Sequence, residues 1–136
     1  MNTIAPSTTL CSEKIKILKT KQFCKWAKKN SLNNETLKSA ALEIMEGKVE
    51  GNLGHHLFKK RIGINGHGKR GAVRAIVFYQ IDNKLIYAHG FMKKDKAALT
   101  DIEFNAFKLL ANIFLDMTEA QYVVSLKNGD FEEIAT

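Results

Sequence analysis

The stretch Ala72–Gln80 leaves this chain the fewest structural choices. It strings together Val, Ile, Phe and Tyr, which lose rotamer freedom in a helix and pack well on a pleated sheet, so it predicts a strand. Its uninterrupted apolar run, Ala75 to Tyr79, falls far short of the ~20 residues that span a bilayer. Asp82-Asn83 then offers a tight turn into a second run of the same kind, Leu85–Phe91, and the two predict an antiparallel hairpin. Leu57–Ile62 has strand character as well, and the Gly-rich loop Gly63–Gly68 separates it from the hairpin.

Helical patterns flank this unit on both sides. Residues 1–12 are rich in Ser and Thr, hold the one proline, Pro6, and read as a flexible arm ahead of a single domain over 13–136. Lys14–Leu18 alternates polar and apolar as a half-buried strand does. Thr20 can cap a helix to about Lys29, with Phe23, Trp26 and Ala27 facing the core and Lys21, Lys25, Lys28 and Lys29 facing away. Asn33 or Asn34 can cap a second, whose stripe of Leu37, Ala40, Ala41, Ile44 and Met45 runs until Gly47. Thr100-Asp-Ile-Glu103 is a capping box for a helix to about Asp116, expected to bury Ile102, Ala106, Leu109, Leu110 and Ile113. Thr118-Glu-Ala-Gln121 repeats the box for a short last helix that Gly129 ends. The order β-αα-βββ-α(α) predicts an α+β fold, a helical hairpin packed on an antiparallel sheet with C-terminal helices.

Several classes of chemistry find no support. Cys11 and Cys24 make no disulfide framework and no metal-ligand pair, and the simplest reading is two reduced thiols in a cytoplasm. The N-terminus has neither a basic start nor a hydrophobic stretch, so no secretory signal is read there. Gly66-His-Gly-Lys69 lies between two strands, whereas a nucleotide-binding glycine loop must open a helix. No metal site and no cofactor is expected.

Charge is the positive signal. Lys and Arg number 21 against 14 Asp and Glu, a net of +7, which favours a polyanionic partner. From Gly51 to Ile81 there is no acidic residue, and Lys59, Lys60, Arg61, Lys69, Arg70 and Arg74 all fall in that window. Lys59 and Arg61, two apart on a strand, project to one face with Lys60 opposite, and Arg74 on the next strand can join them. Lys93, Lys94 and Lys96 follow the last hairpin strand. Tyr87 and Phe91 supply aromatic faces for an unpaired base, with His89 on the same two-residue spacing. His67 and His89 can transfer protons near neutral pH, His67 being the better placed, while His55 and His56 read as ordinary loop imidazoles. A solvated polar face is the bland alternative for any one of these residues.

Taken in order, Lys59-Lys-Arg61, Gly66-His-Gly-Lys69, Gly71-Ala-Val-Arg74 and Gly90-Phe-Met-Lys93 resemble a branch of the RelE-like toxins of type II toxin–antitoxin modules, the RelE/ParE/HigB superfamily. The resemblance runs from about Ile15 to Leu115. It implies a microbial-RNase-like fold and a metal-independent endoribonuclease that cuts messenger RNA in the ribosomal A site, leaving a 2′,3′-cyclic end. It also implies a cognate antitoxin that covers the basic face, and a cytoplasmic protein with no membrane partner. By that resemblance Arg74, Lys59, Arg61, Lys93 and Lys94 are catalytic candidates, and His67, next to the basic loop, joins them for its imidazole chemistry. Lys60, Lys69, Arg70, Tyr87, Phe91 and Lys96 are the RNA-binding ones. The chain departs from the branch at Arg70 and Ala72, where small residues are usual, and has Leu99-Thr100 where some members carry a tyrosine. That leaves the acid and base unassigned. The alternatives are a ParE-like toxin that inhibits gyrase and a non-catalytic nucleic-acid-binding regulator.

Overall fold

Lys16–Thr20 (β1) runs without a loop into Lys21–Lys29 (α1), because Thr20 is both the last strand residue and the helix cap. Its extended backbone lets its side chain accept a hydrogen bond from the Phe23 N–H at 3.1 Å, satisfying one orphan donor of the first turn. The computed structural model describes residues 15–63, 73–92 and 99–135. Asn33 caps Asn34–Met45 (α2) in the same way, through the Thr36 N–H, and Gly47 follows its end with φ of 86°, a conformation that costs glycine nothing. Gly51–Gly54 (β2), Leu57–Ile62 (β3), Val73–Ile81 (β4) and Lys84–Met92 (β5) form an antiparallel ladder. Asp101–Asp116 (α3) and Glu119–Asn128 (α4) each open with a complete capping box, at Thr100/Glu103 and Thr118/Gln121. Gly129, left-handed, turns the chain into Phe131–Ile134 (β6).

The described strands make one sheet in the order β2-β3-β4-β5-β1-β6. It is mostly antiparallel, with one parallel pair, β1 beside β5, and β6 closes the far side of β1 in antiparallel register. Strands β2 and β6, four residues each, are absent from the sequence-based order. Helices cover both faces. Phe23 and Ala27 of α1 and Leu37, Ala40, Ala41 and Ile44 of α2 pack on Ile17, Val73, Ala75, Val77, Leu85 and Tyr87. On the other face α3 and α4 set Phe107, Ala111, Phe114 and Tyr122 against Leu18, Ile76, Phe78, Ile86 and Ala88. Buried from both sides, β4 and β5 have no need of the apolar/polar alternation of a half-exposed strand, which explains the continuous apolar run of β4.

The face that α3 buries corrects the sequence-based expectation. Ile102, Leu109 and Ile113 are exposed, by 83%, 66% and 55%, and Ala106 is exposed with them. The helix instead turns Phe104, Phe107, Leu110, Ala111 and Phe114 to the sheet. It carries two apolar stripes, and periodicity cannot rank them. The three phenylalanines bury more area than the aliphatic row, and Phe78 receives Phe107 and Phe114 edge-on, at 6.3 and 5.1 Å between centroids. Only Leu110 belongs to both descriptions.

A buried lysine clips α4 to the hairpin. Lys84, 1% exposed, pairs with Glu119, donates to Asn83, and lies 4.1 Å over the Tyr122 ring, whose hydroxyl donates to the Phe114 carbonyl at 3.0 Å. On the opposite face α1 lies so close to β5 that a Cβ on Gly90 would fall 2.3 Å from the Trp26 ring. The glycine of the Gly90-Phe-Met-Lys93 motif is therefore a packing residue. We expect Gly90→Ala to destabilise the protein by about 2–3 kcal/mol, the upper range for overpacking, because a rigid indole cannot yield as a flexible side chain would. Denaturant melts followed by Trp26 fluorescence measure this, and an unchanged midpoint contradicts it.

Candidate functional site

The pairing of β3 with β4 places Arg61 directly opposite Arg74 and Lys59 opposite Ile76. Side chains alternate along a strand, so Lys59, Arg61 and Arg74 share the face covered by α3, as the spacing predicts. Two guanidinium groups directly across a strand pair repel one another. A carboxylate resolves this. Glu50, the residue before β2, accepts from Arg74 Nε at 2.7 Å and lies 3.4 Å from Lys59 Nζ, both through Oε1. Burial alone raises the Glu50 carboxyl, but the hydrogen bond and charge of Arg74, with Lys59 behind them, outweigh it and hold it below the usual carboxylate range. The window without acids in the sequence is thus not without them in space.

Arg74 is 5% exposed, held at the middle of the sheet, while Lys59 is partly open and Arg61 exposed. Lys60, proposed above as an RNA contact, is corrected. It faces the helical hairpin, 7% exposed, with Nζ 2.7 Å from Glu43 and donating to the Lys48 carbonyl at 2.8 Å. Its charge is spent on joining α2 to the sheet.

Tyr87 is corrected as well. It is fully buried, stacked on Phe23 at 5.1 Å, with its hydroxyl donating to the Leu37 carbonyl at 2.6 Å. Burial pushes that hydroxyl far up, so it neither stacks a base nor exchanges a proton with one. The cause is a register shift. Val77 pairs with Tyr87, yet the preceding Ile76 pairs with His89, so β5 holds one extra residue there, a β-bulge. The bulge reverses the alternation. Tyr87 faces α1 and α2, while His89 and Phe91 face α3 with Arg74, although the three lie at strict two-residue spacing. Phe91, opposite Arg74 in the register, is only 6% exposed and packs in the α3-side core, so it supplies an edge of the site and no open stacking platform. His89 lies against Phe107 at 5.5 Å between centroids, with Nε2 3.9 Å from Glu103 Oε2.

His67, Lys69, Arg70, Lys93, Lys94 and Lys96 lie outside the described residues. The segments that carry them join the sheet at Val73 and Met92, which are paired with each other, next to the Arg74–Phe91 pair. His55 and His56 form the turn between β2 and β3 with φ of 54° and 66°. There the His56 carbonyl accepts a hydrogen bond from the Tyr79 N–H at 3.0 Å, and His55 lies edge-on to Phe104 at 6.3 Å. Among the described residues, Glu50 is a member of the site that sequence reasoning passed over. It stands a single position outside the acid-free window.

Among protein families, the RelE toxin of the RelE / RelB toxin-antitoxin system matches residues 15–134. The chain belongs to the RelE toxin family. It is therefore a toxin of a toxin–antitoxin system, and the family implies an antitoxin partner. No curated relative and no solved structure matches it. Among the described residues no helix is long and apolar enough to cross a membrane. The match spans β1 to β6, so this RelE toxin's cationic strands lie inside the family's shared region.

The same ion pairs set an acid limit on stability. Hydrogen bonds from Lys60, Lys84 and Lys19 lower the carboxyls of Glu43, Glu119 and Glu132, and Glu50 is lowered as described. A carboxyl lowered in the folded state stabilises it fully above the unfolded value, about 4.3, and loses that contribution as pH falls through the folded value. The melting temperature should thus be level from pH 7 to about 5 and fall steeply below about 4. Glu43→Gln should make the fall shallower. A melting temperature that rises on acidification would contradict the pairing.

Proposed function

We propose that this toxin is an endoribonuclease that binds messenger RNA in the ribosomal A site and cleaves it through 2′-OH attack, in the cytoplasm. One observation supports this above the others: Arg61 and Arg74 meet across β3 and β4 on one face, with Lys59 beside them and Arg74 anchored by Glu50. A base takes the ribose 2′-OH proton, the oxygen attacks the adjacent phosphorus, and the 5′-oxygen leaves with a proton, giving a 2′,3′-cyclic end. Negative charge grows on the non-bridging oxygens along that path. Cations already fixed beside them stabilise the transition state more than the ground state. Arg74 is the principal donor, since a rigid central strand holds it, and Arg61 is the exposed contact that meets the backbone first. Lys93, Lys94 and His67 remain candidates for proton transfer. The cognate antitoxin silences the toxin by laying an acidic or amphipathic segment over the same face.

Arg74→Ala should lower cleavage of ribosome-bound messenger by about 10²–10³, the usual effect of removing one preorganised donor, and abolish growth arrest. Arg74→Lys should restore only part, because the charge returns without the guanidinium fork. Thr100→Ala serves as the control, costing about 1 kcal/mol at the α3 cap with cleavage unchanged. Primer extension reads the cuts and melting curves report the fold. A well-folded Arg74→Ala protein that cuts at the wild-type rate overturns the assignment. Loss of DNA synthesis with protein synthesis continuing points to gyrase instead.

A further inference from the structure

Arg74 and Lys59 share a carboxylate that nothing in the composition of the window announces. Its attachment is rigid. The Glu50 N–H donates to the Lys59 carbonyl at 2.8 Å, one step before Gly51 pairs with Lys59, so the backbone of Glu50 extends the sheet. The carboxylate engages the guanidinium at Nε, at 2.7 Å, and the Arg74 side chain it holds is only 6% exposed. That is the geometry of a residue that orients a buried arginine from one side.

We propose that Glu50 is a positioning residue of the cationic face, fixing the orientation of the Arg74 guanidinium through its Nε. The inference rests on the reading of this face as the RNA-cleaving site. Glu50 has two separable effects. Its reach holds Arg74 in one orientation, and loose donors lose much of their catalytic value. Its charge opposes the phosphate and offsets part of the attraction of Lys59 and Arg74, so RNA binds less tightly in the ground state. An enzyme gains rate from interactions that strengthen only in the transition state, and a tethered, partly neutralised arginine meets that condition.

Two substitutions separate reach from charge. Glu50→Asp keeps the charge and draws the carboxylate back by one methylene. It should lower the maximal single-turnover rate on ribosome-bound messenger by about ten- to a hundredfold, leave binding of a short single-stranded RNA unchanged, and lose the slowly exchanging Arg74 Nε–H resonance expected of the wild type by NMR. Glu50→Gln keeps the reach and removes the charge. It should retain that resonance, keep the rate within a few-fold, and bind the same RNA more tightly, with a salt dependence steeper by about 0.7 in log–log slope. A folded Glu50→Asp protein that cuts at the wild-type rate, or that keeps the Nε–H signal, overturns the positioning role. An unchanged affinity and salt slope in Glu50→Gln overturns the charge effect. Should the wild type bind RNA and leave it uncut, the cleavage reading fails by itself, and the resonance and salt slope still decide the place of Glu50.

Discussion

Burial of β4 and β5 from both sides is the constraint on which the rest of this structure depends. Neither strand offers a polar face to water over most of its length, so the sheet holds together only with helices above and below. The two helical layers meet this demand differently. Small residues, Ala27, Ala40 and Ala41, bring α1 and α2 close on one side, while phenylalanines fill the other. Arg74, the second residue of β4, is the buried exception on that strand, a charge between the apolar Val73 and Ala75. A buried guanidinium without a partner costs several kcal/mol, so the fold must supply Glu50 or lose stability at its centre. The order of the cationic face and the stability of the sheet therefore fall on one ion pair.

The bulge between Tyr87 and His89 gives one strand two tasks. Before it, β5 sends Tyr87 into the core under α2. After it, the same strand sends His89 and Phe91 to the cationic face and Gly90 against Trp26. A regular strand would place Tyr87 and Phe91 on one side, and either the core or the site would lose its aromatic residue. Irregular pairing of this kind concentrates near functional surfaces because it re-aims side chains without adding a loop.

Much of the architecture was legible in the residues themselves. Thr20, Asn33, Thr100 and Thr118 all cap helices, since a capping side chain acts within three residues and needs no tertiary information. The hairpin and its turn were equally local. What escaped was decided at long range. Strands β2 and β6 are four residues each, and Gly51-Asn-Leu-Gly54 and Phe131-Glu-Glu-Ile134 gain strand character only from the neighbours they pair with. The buried side of α3 depends on what lies beneath it, and the sequence offers two stripes of similar hydrophobicity. At the site, the side-by-side setting of Lys59, Arg61 and Arg74 followed from the two-residue period. Lys60 as an ion-paired core residue and Tyr87 as a buried donor did not, because Glu43 and Leu37 come from a helix that no spacing relates to them. Glu50 was missed for the same reason.

The place of β1 in the sheet bears on how the molecule comes into being. Its neighbours are β5 on one side and β6 on the other, so the first strand made is flanked by two of the last. Contacts so distant along the chain must close large loops before any stabilisation returns, and such topologies fold slowly. While the chain is still being synthesised, Lys16–Thr20 has no partner, and α1, which grows from Thr20, has no sheet to lie on. The cationic strands β3 and β4 can pair early, but the scaffold that holds them is completed only when Phe131–Ile134 arrives. The strands that carry the cations are thus held by a scaffold closed between opposite ends of the described residues, and they can pair before that scaffold is whole.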